Sequence, residues 1–236
     1  MRTYRTIGII GAMAEELELL HRHAQMESET VKAGLVFYRG TLHGMDIIAV
    51  KSGVGKVNAA VCTQALIDLG AECILFTGVA GAVDSSLTIG DIVVSTACVQ
   101  HDMDVTALGF APGAIPYQEI SVFPADEDLR SLAVQASRDA VKGRVLEGVV
   151  LSGDQFIASR DKVQSLRDVF QGACAEMEGA AVAQVAHMNG IPYVVIRSMS
   201  DQADGSAHMN FAEFTVLAAG QSYAVIEGMV RSLQQA

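Results

Sequence analysis

Short apolar runs alternate with helix-like segments along this chain, and that alternation restricts its fold more than any other feature. "TIGIIGA" at 6–12 is β-rich, with no polar/apolar alternation. Such a run suits a strand buried on both faces. Further strands are expected at 73–79 ("CILFTGV"), 91–97, 145–151 and 193–198, with a short one after Gly172. Residues 35–41 and 46–51 read as two strands joined by a turn at "HGMD". Helices are expected over 14–24, from the "SGVGKVNAA" turn to about 69, and over 126–141, 161–170, 178–189 and 211–233. Residues 100–125 hold three of the four prolines and read as irregular. Strands alternating with helices predict an α/β fold, a sheet with helices on both faces. With no repeat, no low-complexity tract and no linker, 1–236 reads as a single domain.

The charge balance narrows the partners. Acids outnumber bases 27 to 16, for a formal net charge of −11, and there is no Trp. That argues against a nucleic-acid backbone or an anionic membrane as partner. No stretch reaches the apolar length of a membrane span, and the N-terminus lacks a signal-peptide cleavage region. The four cysteines, at 62, 73, 98 and 174, have no zinc-knuckle or C-x-x-C spacing, so they read as reduced thiols of a cytoplasmic protein. The weight goes to a small-molecule enzyme or a protein-interaction domain.

Several chemistries are disfavoured by spacing. "GVGK" at 53–56 is not a Walker A loop, because Val57 stands where a hydroxyl is needed. Asn58 occupies the third glycine position of a dinucleotide fingerprint, so neither ATP nor NAD is expected. "HDMD" at 101–104 lacks a second histidine at ligand spacing, and no metal is expected. Cys174 and Ser152 lack a nucleophile elbow or a nearby base. The acids remain. Glu16 follows the first strand, Glu176 and Glu178 a late one, and Asp201 the last, in "SMSDQAD". Alone, each has an ordinary reading: Glu16 as a first-turn helix acid, Glu178 as a helix cap, Asp201 as a turn cap. Together with the glycines at 78–81 they fall after strands, where open α/β sheets bind ligands.

"IGIIGAMAEEL", "KSGVGKVNAA", "GDIVVS", "HDMDVTALG", "SGDQFIAS", "AEMEGAAVAQVA" and "IRSMSDQAD" occur in order over nearly the whole chain. Together they resemble the bacterial 5′-methylthioadenosine/S-adenosylhomocysteine nucleosidases of the nucleoside phosphorylase superfamily. The resemblance implies a three-layer α/β/α sandwich around a central twisted, mixed and partly barrel-like sheet. It implies a homodimer that hydrolyses an adenine N-glycosidic bond without metal or cofactor, releasing adenine and a 5′-thio-ribose. By the same resemblance Asp201 is the general acid at adenine N7, with Ser200 supporting it, and Glu16 holds the attacking water. Arg197 orients the acids, and Glu178 binds the ribose hydroxyls with Met177 beside the sugar. Phe156 stacks on adenine, and the Ile157 backbone meets the base edge. Met13, Val54, Val79 and Phe211 line the pocket, and Val105, Leu108 and Pro116 serve the 5′ site of the partner subunit.

The chemistry agrees with those residue types. Cleaving an N-glycosidic bond leaves positive charge on the ribose and negative charge on the base. A protonated carboxyl group at the base answers the second problem, and a carboxylate near the sugar answers the first. Related phosphorylases instead need cations for phosphate: an Arg in the first loop and R-x-G-[ST] in the middle one. Here the first loop reads "GAMAEE", and Phe76 and Val79 stand at the Arg and hydroxyl positions of the second. Water is therefore the expected nucleophile. Three residues depart from the commoner nucleosidase pattern: Val79, where Ser is usual, and Leu108 and Phe110, where Phe and Tyr are usual.

Overall fold

The computed structural model describes residues 2–11, 14–201 and 207–235, with the side chains of residues 15, 16 and 207–217 excepted. In chain order the elements are β1 (Thr6–Gly11), α1 (Ala14–His23), β2 (Gln25–Lys32), β3 (Leu35–Leu42), β4 (Met45–Lys51), α2 (Lys56–Asp68), β5 (Cys73–Ala82) and β6 (Ile92–Gln100). A 3-10 turn at Thr106–Leu108 and the short β7 (Val122–Pro124) interrupt the irregular stretch. Then come α3 (Glu127–Ala140), β8 (Val145–Ser152), α4 (Arg160–Phe170), β9 (Gly172–Glu176), α5 (Gly179–Met188), β10 (Tyr193–Asp201) and α6 (Ala207–Gln234).

The strands form one mixed sheet in the order β10-β6-β8-β9-β5-β1-β4-β3-β2, with β7 on β6. β10 also pairs β5, so β10, β6, β8, β9 and β5 close a ring. The barrel-like part of the expected sheet is this ring. β1 shows why its apolar run does not alternate. Ile10 packs with α2 and α5 on one face, while Ile7 and Ile9 pack with α1, α3 and α6 on the other. The three-layer sandwich is therefore as expected. Helix α4 sits over a smaller cluster with Leu151 and Val99.

Several elements differ from the expectation: β7 falls in the stretch expected to be irregular, β6 runs on to Gln100, α6 begins at Ala207, and three further strands depart as follows. β2 ("QMESETVK") has no apolar run, and most of its residues are exposed. It is held by pairing to β3, with a bulge at Glu27 opposite Gly40, where a Cβ would lie 2.2 Å from the Gln25 carbonyl oxygen. β5 continues through its glycines to Ala82 because β9 and β10 pair with that stretch. β10 continues to Asp201, past the expected end at 198. α3 begins as expected, with Asp126 accepting the Leu129 N–H at 2.9 Å. Among the described residues no helix is long and apolar enough to cross a membrane.

All four cysteines are unbridged and buried. Burial pushes the Cys62 thiol from 9.0 to about 12. Cys73 is also pushed to about 12, by burial first and then by Glu72 and Asp126. Cys98 and Cys174 move the same way. The folded chain thus keeps thiol protons that the unfolded chain releases. That contribution to stability is complete below about pH 9 and is lost as pH rises toward about 12. Urea unfolding is expected to show a lower midpoint at about pH 10 than at about pH 8. Equal midpoints would contradict the thiol assignment.

Candidate active site

A cavity of about 310 Å³ opens where β5, β9 and β10 end, within the size range of small-ligand sites. Its wall includes Val79, Phe156, Met177, Glu178, Ser200 and Asp201. Ser200 and Asp201 are consecutive, yet both reach the cavity. In a regular strand neighbours point to opposite faces. Here the register of β10 on β5 slips between Met199 and Asp201, leaving Ser200 as the extra residue of a bulge. A bulge of this kind re-aims side chains at a sheet edge. Met199 stays in the core, and the next two residues turn to the cavity. The Ser200 hydroxyl donates to Asp201 Oδ2 at 2.8 Å, which fixes the orientation of a carboxyl group that is 3% exposed.

The carboxylates at 176 and 178 have separate tasks. Glu178 occupies the N-cap position of α5, but its side chain makes no capping bond there. It reaches across instead, and its Oε1 accepts the Gly55 N–H at 2.7 Å. The capping is done by Glu176, at the end of β9. Its carboxylate accepts the Gly179 N–H at 2.8 Å and the Glu178 N–H at 3.2 Å. Anions are favoured at a helix N-terminus, where amides lack intrahelical acceptors.

Glu176 also receives Arg197. Nη2 of the guanidinium donates to Glu176 Oε2 at 2.7 Å, with side chains 1% and 3% exposed. The guanidinium lies 3.9 Å over the Phe76 ring. The Ser152 hydroxyl donates to the other Glu176 oxygen and accepts the Ala180 N–H at 2.7 Å. Ser152 is thus structural, and Cys174 is a buried thiol held protonated by burial. Arg197, expected to orient the acids, is outside the cavity wall and orients Glu176. Its connection to Glu178 runs through Glu176 and the first amides of α5.

The other expected site residues divide as follows. Val54, Val79, Phe156, Ile157, Met177 and Glu178 line the cavity. Val105, Leu108 and Pro116 lie outside the cavity of their own chain, in the segment after β6, with Leu108 strongly exposed. Met13 falls outside the described residues, as do the side chains of Glu16 and Phe211. The sequence assigns no role to Glu176, and none in the site to Ser152 or Gly55; the contacts of all three are with residues distant in the chain. "HDMD" is used internally: Asp102 pairs with Lys56 at 2.6 Å, and Asp104 accepts the Thr106 N–H at 3.0 Å. Among the described residues no three His, Cys, Asp or Glu side chains converge to hold a metal.

The sequence profile of the phosphorylase superfamily matches residues 6–231. The chain is 42% identical over 229 residues to a 5′-methylthioadenosine/S-adenosylhomocysteine nucleosidase of Haemophilus influenzae, covering 96% of this chain and 99% of that one. The crystal structure of the Neisseria meningitidis nucleosidase in complex with methylthio-immucillin-A superposes with a TM-score of 0.92 at 37% identity, covering 97% and 99% of the two chains. A futalosine hydrolase of Helicobacter pylori superposes with a TM-score of 0.91 at 36% identity, covering 97% and 98%. The chain belongs to the phosphorylase superfamily and, within it, to the family of these nucleosidases. The resemblance carried by its seven segments is borne out.

Replacing Glu176 by Gln removes the charge opposite a buried guanidinium and sets an amide group against backbone donors. Glu176→Gln is expected to cost about 3–5 kcal/mol of unfolding free energy, the usual range for breaking a buried pair. Denaturant titration measures it. A loss below about 1 kcal/mol, typical of an exposed pair, would contradict the positioning role.

Proposed function

We propose that this protein hydrolyses the N-glycosidic bond of 5′-alkylthio-adenosines, with methylthioadenosine and S-adenosylhomocysteine as substrates, and releases adenine. The observation that carries the reading is the charge of the cavity wall. Among the described residues its ionisable side chains are the acids Glu176, Glu178 and Asp201, and none is basic. A phosphate dianion entering there is repelled by carboxylate charge and finds no basic side chain on the wall, whereas a neutral nucleoside and a water molecule meet no such repulsion and can donate hydrogen bonds to it. The positive charge that develops on the ribose is complementary to that wall.

In this reading Asp201, held by Ser200, protonates adenine N7 as the bond to the ribose breaks. Glu178 accepts hydrogen bonds from the ribose hydroxyls, and the Gly55 amide on its Oε1 sets its position. Phe156, half exposed at the rim, closes over the base once it is bound, and Met177 packs on the sugar. Glu16 holds the water, and Phe211 and Met13 complete the apolar wall; these three roles rest on the family resemblance. The chain works as one catalytic domain in the cytoplasm. It acts as a homodimer whose second subunit brings Val105, Leu108 and Pro116 to the 5′ end of the substrate. Leu108 and Phe110 differ from the commoner pattern at that end, so the choice among 5′ groups is the property most open to variation.

Asp201→Asn is expected to lower adenine release from methylthioadenosine by about 10²-fold or more with folding unchanged, the scale of a lost general acid. Near-normal turnover would remove Asp201 from that role. A 2′,3′-dideoxy analogue is expected to be a poor substrate of the parent enzyme, and Glu178→Gln is expected to narrow the gap between the two substrates. Equal rates for both substrates with the parent would contradict the ribose assignment.

A further inference from the structure

Helix α2 starts without a cap of its own. Its N-cap residue is Gly55, at φ 96°, with no side chain to supply. The first amides are met by carboxylates from remote parts of the chain. The Gly55 N–H donates to Glu178, and the next one, Lys56, donates to Asp154 Oδ1 at 2.8 Å. Two features favour glycine at 55. Its φ is left-handed, and a Cβ there would lie 3.2 Å from that same Asp154 oxygen.

Asp154 and Lys56 meet again through a third residue. The Lys56 ammonium donates to Asp102 Oδ1 at 2.6 Å and to Gln100 Oε1 at 3.0 Å. The other Asp102 oxygen accepts the Asp154 N–H at 2.9 Å. Lys56, Asp154 and Asp102 therefore close a ring of hydrogen bonds between three segments: the start of α2, the loop after β8 and the loop after β6. The Lys56 and Asp102 side chains are only 17% and 15% exposed, so the pair is less screened than a surface ion pair. Burial raises the Asp102 pKa, but the Lys56 and Asp154 hydrogen bonds outweigh it, and the net shift is downward. Beside them His101 is buried, and burial is the main cause of its lowered pKa. A neutral imidazole leaves Asp102 to Lys56.

Two ends of the ring reach the cavity wall. Val54 precedes Gly55, and Phe156 lies two residues after Asp154. We propose that Asp154, Lys56 and Asp102 form a positioning clamp that holds the Gly55 amide on Glu178 while seating the Phe156 loop over the base. The ribose ligand and the base platform are thereby set by one network. This inference rests on the nucleosidase reading for its catalytic consequence. Its mechanical part, the joint seating of the two loops, does not.

The test uses Lys56→Met, Asp102→Asn, their double variant, Asp154→Ala and Asp154→Asn in the full chain. Two readouts are taken: kcat and KM for adenine release from methylthioadenosine, and amide hydrogen exchange in residues 53–58 and 153–158. Lys56→Met and Asp154→Ala are expected to lose about 10- to 100-fold in kcat/KM, the scale of a reacting group displaced by about 1 Å. Exchange is expected to rise in both segments together, and the double variant is expected to lose no more than the worse single one. Asp154→Asn keeps an oxygen for the Lys56 amide and is expected to stay near the parent. Exchange that rises only around the mutated residue, or losses that multiply in the double variant, would overturn the clamp. A parent that releases no adenine would overturn the nucleosidase reading instead, and the exchange arm would still decide the clamp.

Discussion

The buried pair between Glu176 and Arg197 is the interaction on which the site depends. A guanidinium that is 1% exposed, in a strand of the sheet, is strongly unfavourable unless an anion meets it. Glu176 meets it and spends its remaining acceptor capacity on the first amides of α5 and on Ser152. The start of α5 is thereby tied to β8, β9 and β10. Glu178 sits at that start, so its carboxylate is released from capping and can cross to Gly55 and the cavity. One charge pair thus divides two neighbouring glutamates into a structural anion and one that lines the cavity.

The closed ring of strands supplies the second constraint. Because β10 pairs both β5 and β6, the ends of β5, β9 and β10 are held around a common opening. The bulge at Ser200 then turns two successive polar residues into that opening. Small residues let α5 pack closely on the sheet: Gly179, Ala180, Ala181, Val182, Ala183 and Ala186 are all buried, and none is bulkier than Val182. That packing fixes the helix whose first turn presents Glu178.

How much of this the sequence showed depended on whether burial left a pattern. β1 announced itself because both of its faces are covered. β2 did not, because its residues are polar and pairing to β3 alone defines it. The ends of β5 and β10 were read short, because glycines and the polar "SMSD" carry no strand periodicity and are held by neighbours distant in sequence. The acids at the carboxyl edge were legible as a group, and the family resemblance assigned them roles. Which of Glu176 and Glu178 caps the helix was not legible, since the answer lies in Arg197, 21 residues from Glu176. The contact between Asp154 and Lys56, 98 residues apart, was not legible either, although both lie in segments that carry the family resemblance.

The most direct test of the account asks which oxygen attacks the ribose. Methylthioadenosine would be turned over in ¹⁸O-labelled water, with and without phosphate, and the sugar product analysed by mass. The account requires adenine release without phosphate, one ¹⁸O atom in the released methylthioribose, and no change when phosphate is added. Adenine release only with phosphate, yielding a ribose 1-phosphate, would contradict it.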